Sequence, residues 1–345
     1  MSLDGCDLLT ICVPTCNQVV ILCDMLEDMI PKISSYHIRL LIIDNCSSDN
    51  TQGVVAGYSD RYENLSYIRL DRQLDNDALF EMALKLPRTP YCWVIRDINR
   101  LNGSYLCSVI NTLSNQTPDL YVIACNKRSF GIPSRVYNDA NAFLHDLGWC
   151  LIYSGAVIFS RKIIDIADFE KCRNPYFFSF NIVFETLSRL DRISVFWSGL
   201  DLLSESSLSR DNSRNPRGVF HIYGVLWTKT VLALPDSSYS KKAKLRCIRV
   251  LGKKNHLYSA HHLKRQLVRL LLKYIKSVMT ISGILLREMS CVFSFIRDIR
   301  IDSINIIGGI TDIIEIRDLL YFDYFKKLNI HEGCNISRWA RYTYQ

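Results

Sequence analysis

The chain has 345 residues, 48 % of them apolar and 22 % charged, with a formal net charge of +8. This is close to the globular average and excludes wholesale disorder, a collagen-like repeat and a coiled coil. Only 15 glycines and 9 prolines are present, so no long flexible linker is expected, and the length predicts about two domains.

Leu8–Val13 is a short apolar run suited to a strand buried on both faces. Val19–Ile30 has helical periodicity and is expected to end at Pro31. Arg39–Ile43 predicts a second strand. A polar turn from Asp44 to Thr51 follows, in which Ser48 or Asp49 is placed to cap a helix. Leu65–Leu70 predicts a third strand and Asp77–Leu86 a helix, closed by Pro87 and Pro90. Tyr91–Ile95 and Leu120–Ala124 complete a set of five strands. Strands alternating with helices, each strand nearly continuous in apolar residues, predict an α/β fold with a parallel sheet and helices on both faces.

The pattern changes near residue 145. Trp149–Ser160 holds two apolar runs around Ser154-Gly155, and aromatic residues follow at Tyr176, Phe177, Phe178, Phe180 and Phe184. Ser204–Gly218 reads as a polar loop, and the chain from Val219 onward as mainly helical. The expected division is therefore 1–218 and 219–345.

Charge is concentrated in the second part. Between Ser237 and Arg287 there is no Asp or Glu and there are thirteen Lys and Arg, which against a total of +8 leaves the rest of the chain at −5. Leu263, Leu267, Leu270, Leu271, Tyr274 and Ile275 recur at helical spacing among Lys264, Arg265, Arg269, Lys273 and Lys276. A basic amphipathic helix of this kind suits an anionic membrane interface; packing as an ordinary surface helix is the competing reading. No nucleic-acid-binding motif accompanies the charge, so nucleic acid is not an expected partner. The longest apolar stretch, Ser277–Leu286, is too short to span a bilayer. The 13 cysteines form no CxxC pair or zinc-type spacing, and the opening MSLDGCDLLT has no signal-peptide pattern. Reduced thiols in a cytoplasmic protein are expected.

In parallel sheets, ligands bind at the carboxyl ends of the strands. Three such ends carry polar clusters: Pro14-Thr15-Cys16-Asn17, Asp44-Asn45-Cys46-Ser47-Ser48-Asp49 and Asp97-Ile98-Asn99. Asp44 suits a base N–H or a ribose hydroxyl, and Thr15 and Asn17 suit the same ligand. Asp97 and Asn99, two residues apart, suit Mg²⁺ or Mn²⁺ bridging two phosphates. Each has a plainer reading as a turn residue bonded to its own backbone. P-loop, GxGxxG, GxSxG and HExxH patterns are all missing from the sequence.

LTICVPTCN (residues 9–17) and RLLIIDNCSSDNT (39–51) resemble the first two motifs of family 2 glycosyltransferases with the GT-A fold. YCWVIRDINRL (91–101) resembles that family's metal-motif segment. With WCLIYSGAVIFS (149–160), the chain is most similar to the abequosyltransferase branch, which adds a 3,6-dideoxyhexose during bacterial O-antigen and lipopolysaccharide assembly. The resemblance implies a nucleotide-sugar site at Pro14, Thr15, Asn17, Asp44, Asn45, Ser47, Asp49 and Asp97, and a metal at Asp97 and Asn99. It implies an inverting transferase with a carboxylate base, for which Glu185 is the candidate and Asp146 the second choice. The implied acceptor is a lipid-linked oligosaccharide, and the implied place is the cytoplasmic face of the inner membrane, held peripherally. Two departures stand out. Asn99 replaces the second aspartate, and Asp71–Asp77 lacks the family's Asn-x-Gly. Both suit the alternative of a non-catalytic GT-A-like subunit that binds a glycan or a partner enzyme. A nucleotidyltransferase is disfavoured by the lack of glycine in Pro14–Asn17.

Overall fold

The computed structural model describes residues 5, 7–125, 131–174, 176–206 and 221–254. They fall in the first of the two units into which the chain divides, Met1–Asn255. The basic amphipathic segment 263–276 and most of the polar loop 204–218 lie outside the described residues.

The first half alternates as the apolar runs dictate. In order come β1 (Leu9–Thr15), α1 (Val19–Ser34), β2 (Arg39–Asp44), α2 (Thr51–Ser59), β3 (Leu65–Arg69), α3 (Asn76–Lys85) and β4 (Tyr91–Val94). Leu9, Ile11, Cys12 and Val13 are fully buried and Thr10 nearly so, which requires cover on both faces of β1. α1 does not stop at Pro31 but runs three residues beyond it. A proline there removes one backbone donor. Burial of Met29 and Ile33, and a 2.6 Å bond from the Ser34 hydroxyl to the Ile30 carbonyl, carry the last turn through. α3 is capped by Asp75, whose carboxylate accepts from the Ala78 N–H at 2.8 Å.

The second half holds β5 (Asn99–Leu101), α4 (Leu106–Gln116), β6 (Leu120–Cys125), β7 (Arg135–Tyr137), α5 (Ala140–Leu147) and β8 (Val157–Ser160). α6 (Arg161–Ile166), α7 (Phe169–Cys172), α8 (Phe178–Leu187), β9 (Val195–Glu205), α9 (Trp227–Leu232) and α10 (Lys241–Lys254) follow. The nine strands form one sheet in the order β3-β2-β1-β4-β8-β6-β9-β5, with β7 beside β9. The β3-β2-β1-β4 half is parallel, as expected. The sheet as a whole is mixed, because β8 inserts antiparallel between β4 and β6. β5 and β7, three residues each, are too short to show a periodicity.

Trp93 and Gly155 lock the two halves together. The Trp93 indole N–H donates to the Gly155 carbonyl at 2.8 Å. Gly155 has φ +83°, and a Cβ there would lie 2.6 Å from Leu203. Only glycine fits both demands.

Phe177, Phe178, Phe180 and Phe184 are buried. Phe180 and Phe177 meet Trp227 of α9 edge-on, and Phe184 stacks on Phe143. This aromatic segment is therefore core and not a sugar platform; Tyr176 alone of the five is half-exposed. α10 packs on α5 and α9, burying Ala243, Cys247, Ile248 and Leu251. Its outer face exposes Lys241, Lys242, Arg246 and Arg249. Lys244 points inward and donates to the Leu232 and Leu234 carbonyls and the Asp236 carboxylate, which satisfies the buried ammonium. Among the described residues, no helix is long and apolar enough to cross a membrane.

Candidate active site

The strand register assembles the site. Asp44 is opposite Arg69 on one side and Thr15 on the other. Cys12 is opposite Val94, so three residues further on Asp97 comes to Thr15. Arg69, Asp44 and Thr15 thus form a row across three adjacent strands, at the roughly 4.8 Å spacing of a sheet, and Asp97, three residues past β4, extends it. The Thr15 hydroxyl donates to the Asp97 carboxylate at 2.9 Å.

Two loops are stitched together above this row. Asn17 and Cys46 both take left-handed backbone conformations, φ 53° and 60°. The Asn17 N–H donates to the Ser47 hydroxyl at 2.9 Å, and the Ser48 N–H donates to the Asn17 side-chain oxygen at 2.7 Å. The Asn45 N–H bonds to the Thr15 carbonyl, and its side chain bonds both ways with the Leu74 backbone, at 2.8 and 3.0 Å. Asn45 thereby holds the segment after β3 against the crevice. Asp49 accepts from the N–H groups of Val19 and Thr51, so one carboxylate serves the starts of both α1 and α2. Burial raises its pKa, but these bonds and the one from the Thr51 hydroxyl outweigh it and leave the group below its ordinary value.

Asp44 is 1 % exposed. It accepts from the Ser47 N–H at 2.8 Å and the Tyr67 hydroxyl at 2.5 Å, with the Arg69 guanidinium 4.0 Å away. Arg69 also donates to the Ser47 carbonyl. Asp44 therefore shapes the turn from beneath. Exposed at its mouth are Asn17, Ser48 and half of the Arg69 side chain, while Pro14 is half-buried in β1. Neither Tyr67 nor Arg69 was singled out by the sequence. Their signal is position alone, on the strand whose register meets Asp44.

At the other end of the row, residues 96–99 form a closed turn. The Asn99 N–H donates to the Arg96 carbonyl, and the Arg96 N–H donates to the Asn99 side-chain oxygen at 2.8 Å. Arg100 braces the turn from behind, donating to the Asp97 and Asn99 carbonyls and pairing with Asp24 of α1. Burial raises the Asp97 pKa above its ordinary value, against the opposing pull of the Thr15 hydroxyl and the Arg96 charge. Asn99 is equally buried, and its oxygen is spent on the turn. Among the described residues no three His, Cys, Asp or Glu side chains converge to hold a metal ion. Asp97 is left as the one anionic group here that could hold a divalent cation, which would have to take its remaining ligands from diphosphate and water.

The two candidate bases lie on other elements. Glu185 is about two turns along α8 and accepts from Lys171 at 2.7 Å. Asp146, on α5, accepts from Arg135 at 2.9 Å, Tyr137 at 3.2 Å and His145 at 2.8 Å. None of these bonds runs to the row of Asp44, Thr15 and Asp97. A third carboxylate, Asp77, sits in the first turn of α3 beside the segment held by Asn45. It accepts from the Asn174 N–H at 2.8 Å, and burial lifts its pKa above the ordinary value. A separate groove of about 700 Å³ lies between α1 and residues 100–104. Lys32 and Asp28 there bond the carbonyl and N–H of Leu101, closing the edge of β5.

Residues 10–143 match the family described as Glycosyl transferase family 2. No curated protein sequence matches the chain. Among solved structures, it is similar to a fragment of S. aureus TarS, residues 1–349, in complex with UDP-GlcNAc. That likeness has 15 % identity, covers 73 % of each chain and has a TM-score of 0.52. It is also similar to the mannosyltransferase PcManGT from Pyrobaculum calidifontis in complex with GDP-Man and Mn²⁺. There the identity is 13 %, the cover 80 % of this chain and 83 % of that one, and the TM-score 0.47. The matched residues include those that build the row at the carboxyl edge of β1, β2 and β4, so residues 10–143 carry the likeness to family 2 glycosyltransferases, and the fold is the GT-A fold.

Proposed function

We propose that the chain is an inverting transferase that moves a sugar from a nucleotide-diphosphate donor to a lipid-linked oligosaccharide in bacterial surface-polysaccharide synthesis. A dideoxyhexose is the candidate sugar and O-antigen the candidate product. The observation that carries the reading is the row itself: one strand register draws three polar strand ends into one crevice. Asn17, Ser48 and Arg69 offer donors and acceptors for a base and ribose, and Asp97 stands where a diphosphate would lie.

In the reaction, the acceptor hydroxyl oxygen bonds to the anomeric carbon on the face opposite the leaving group. The bond from that carbon to the diphosphate breaks, and its electron pair leaves with the nucleoside diphosphate. The hydroxyl proton passes to a carboxylate, for which Glu185 and then Asp146 are proposed. Mg²⁺ or Mn²⁺ at Asp97 would offset the charge on the departing diphosphate.

The membrane side of the proposal rests on charge. The outer face of α10 offers Lys241, Lys242, Arg246 and Arg249 with no acidic residue on that helix, and the basic stretch continues in sequence to Arg287. Such a face is attracted to anionic lipid and to a lipid diphosphate. The test is release of nucleoside diphosphate from a panel of UDP-, CDP-, GDP- and dTDP-sugars, with a bacterial lipid-linked oligosaccharide extract as acceptor. Acceptor-dependent release with one sugar supports the proposal. Nucleotide binding without any release favours a non-catalytic subunit.

A further inference from the structure

We propose that Arg96 is a diphosphate-binding residue of the crevice, a resident cation that does part of the work left to a metal ion in an Asp-x-Asp motif. This inference rests on the transferase reading above. Arg96 lies two residues past the end of β4, an inner strand of the sheet, and its side chain is exposed. An exposed side chain at the carboxyl end of an inner strand stands at the mouth of the crevice.

The row begins at Arg69 and ends at Asp97, next to Arg96 in the chain, and the situations of the two arginines differ. Arg69 is engaged by the Ser47 carbonyl and lies near Asp44. The Arg96 guanidinium has no hydrogen bond or ion pair among the described residues, although its charge is felt by Asp97. Its backbone is fixed on both sides by the bonds with Asn99, so the root of the side chain is held in place.

Charge decides what this end of the site attracts. Two carboxylates would set up a double negative charge and recruit a divalent cation. Arg96, Asp97 and Asn99 together are neutral, with one positive and one negative group. The Asn99 oxygen is already an acceptor inside the turn. Such a site draws a metal weakly and presents a guanidinium, whose planar fork matches phosphate oxygens in pairs. The consequence is nucleoside-diphosphate binding that tolerates the loss of metal.

The test is titration calorimetry on the full chain with whichever of UDP, CDP, GDP and dTDP binds, in Mg²⁺ and in EDTA, with the matching nucleoside as control. We expect the wild-type affinity for the diphosphate to fall no more than about threefold in EDTA. R96Q should weaken diphosphate binding in EDTA about tenfold or more and leave nucleoside binding within about twofold, as expected for a lost charge-assisted contact. R96K should recover part of the loss, and an unchanged melting temperature in both variants shows that the fold is intact. Binding that vanishes in EDTA, or that R96Q leaves unchanged, overturns the role of Arg96 and leaves the transferase reading standing. If none of the four nucleotides binds in any condition, the transferase reading fails and this inference fails with it.

Discussion

The hydroxyl of Thr15 donates to the carboxylate of Asp97 across 82 residues of sequence, joining the ends of β1 and β4 at 2.9 Å. The bond ties the proposed nucleotide side of the crevice to the proposed diphosphate side. Both residues are buried, so its loss leaves a carboxylate short of a donor. Thr15→Val, close in shape, should cost about 1.5 kcal/mol and lower the melting temperature by roughly 3–6 °C. Nucleotide affinity should fall in the same variant. An unchanged melting temperature and affinity would show the bond to be incidental.

Asp97 makes a prediction about pH. Burial raises its pKa in the fold, so the folded chain holds that proton more tightly than the unfolded chain does. Its contribution to stability is present below the unfolded value and is lost as pH rises through the folded one. At neutral pH the ionised group therefore weakens the fold. Asp97→Asn should melt higher than the wild type at pH 7.5, with the gap closing as the pH falls toward 4. A variant that melts lower at pH 7.5 would mean that the carboxylate holds the crevice together.

Much of this was legible in the sequence. The three polar strand ends were visible because short apolar runs mark β1, β2 and β4, and a parallel register then forces their ends together. The mixed half of the sheet was not, since β5 and β7 are three residues long and β8 is placed by tertiary packing around Gly155. Arg69 and Tyr67 were hidden because their roles depend on which strand lies beside β2. The place of the aromatic segment was hidden as well, because an aromatic cluster reads alike whether it faces a ligand or packs on Trp227. Arg96 stood in the quoted motif, but only the bond from its N–H to the Asn99 oxygen changes what the motif can hold.

Two thiols offer a map of occupancy. Cys16 and Cys46 are half-buried in the loops of the crevice, and Cys107 is exposed on α4. Burial, with the Asp44 and Asp49 charges, raises the Cys16 pKa, so its alkylation should be slow at neutral pH and speed up with rising pH. Saturating nucleotide should protect Cys16 and Cys46 several-fold while Cys107 labels at an unchanged rate, read by peptide mass spectrometry. Equal rates with and without nucleotide would place the ligand elsewhere.

The base can be assigned by kinetics. Glu185→Gln, Asp146→Asn and Asp77→Asn each remove one carboxylate and keep its shape. The base variant should lose about 10²–10⁴-fold in kcat and keep its nucleotide affinity. We expect that result for Glu185→Gln. Full activity there, with the loss in Asp77→Asn, would move the role to the first turn of α3, where burial has already raised the pKa.

The most direct test of the central claim is a thermal-shift panel on the full chain with UDP, CDP, GDP and dTDP, each with Mg²⁺, Mn²⁺ and EDTA. A ligand of the native state raises the melting temperature by mass action, by about 2.7 kcal/mol of stability at a hundred times its Kd. The account predicts a saturable rise with one of the four, reduced in Thr15→Val. No rise with any nucleotide in any of the three conditions would contradict it.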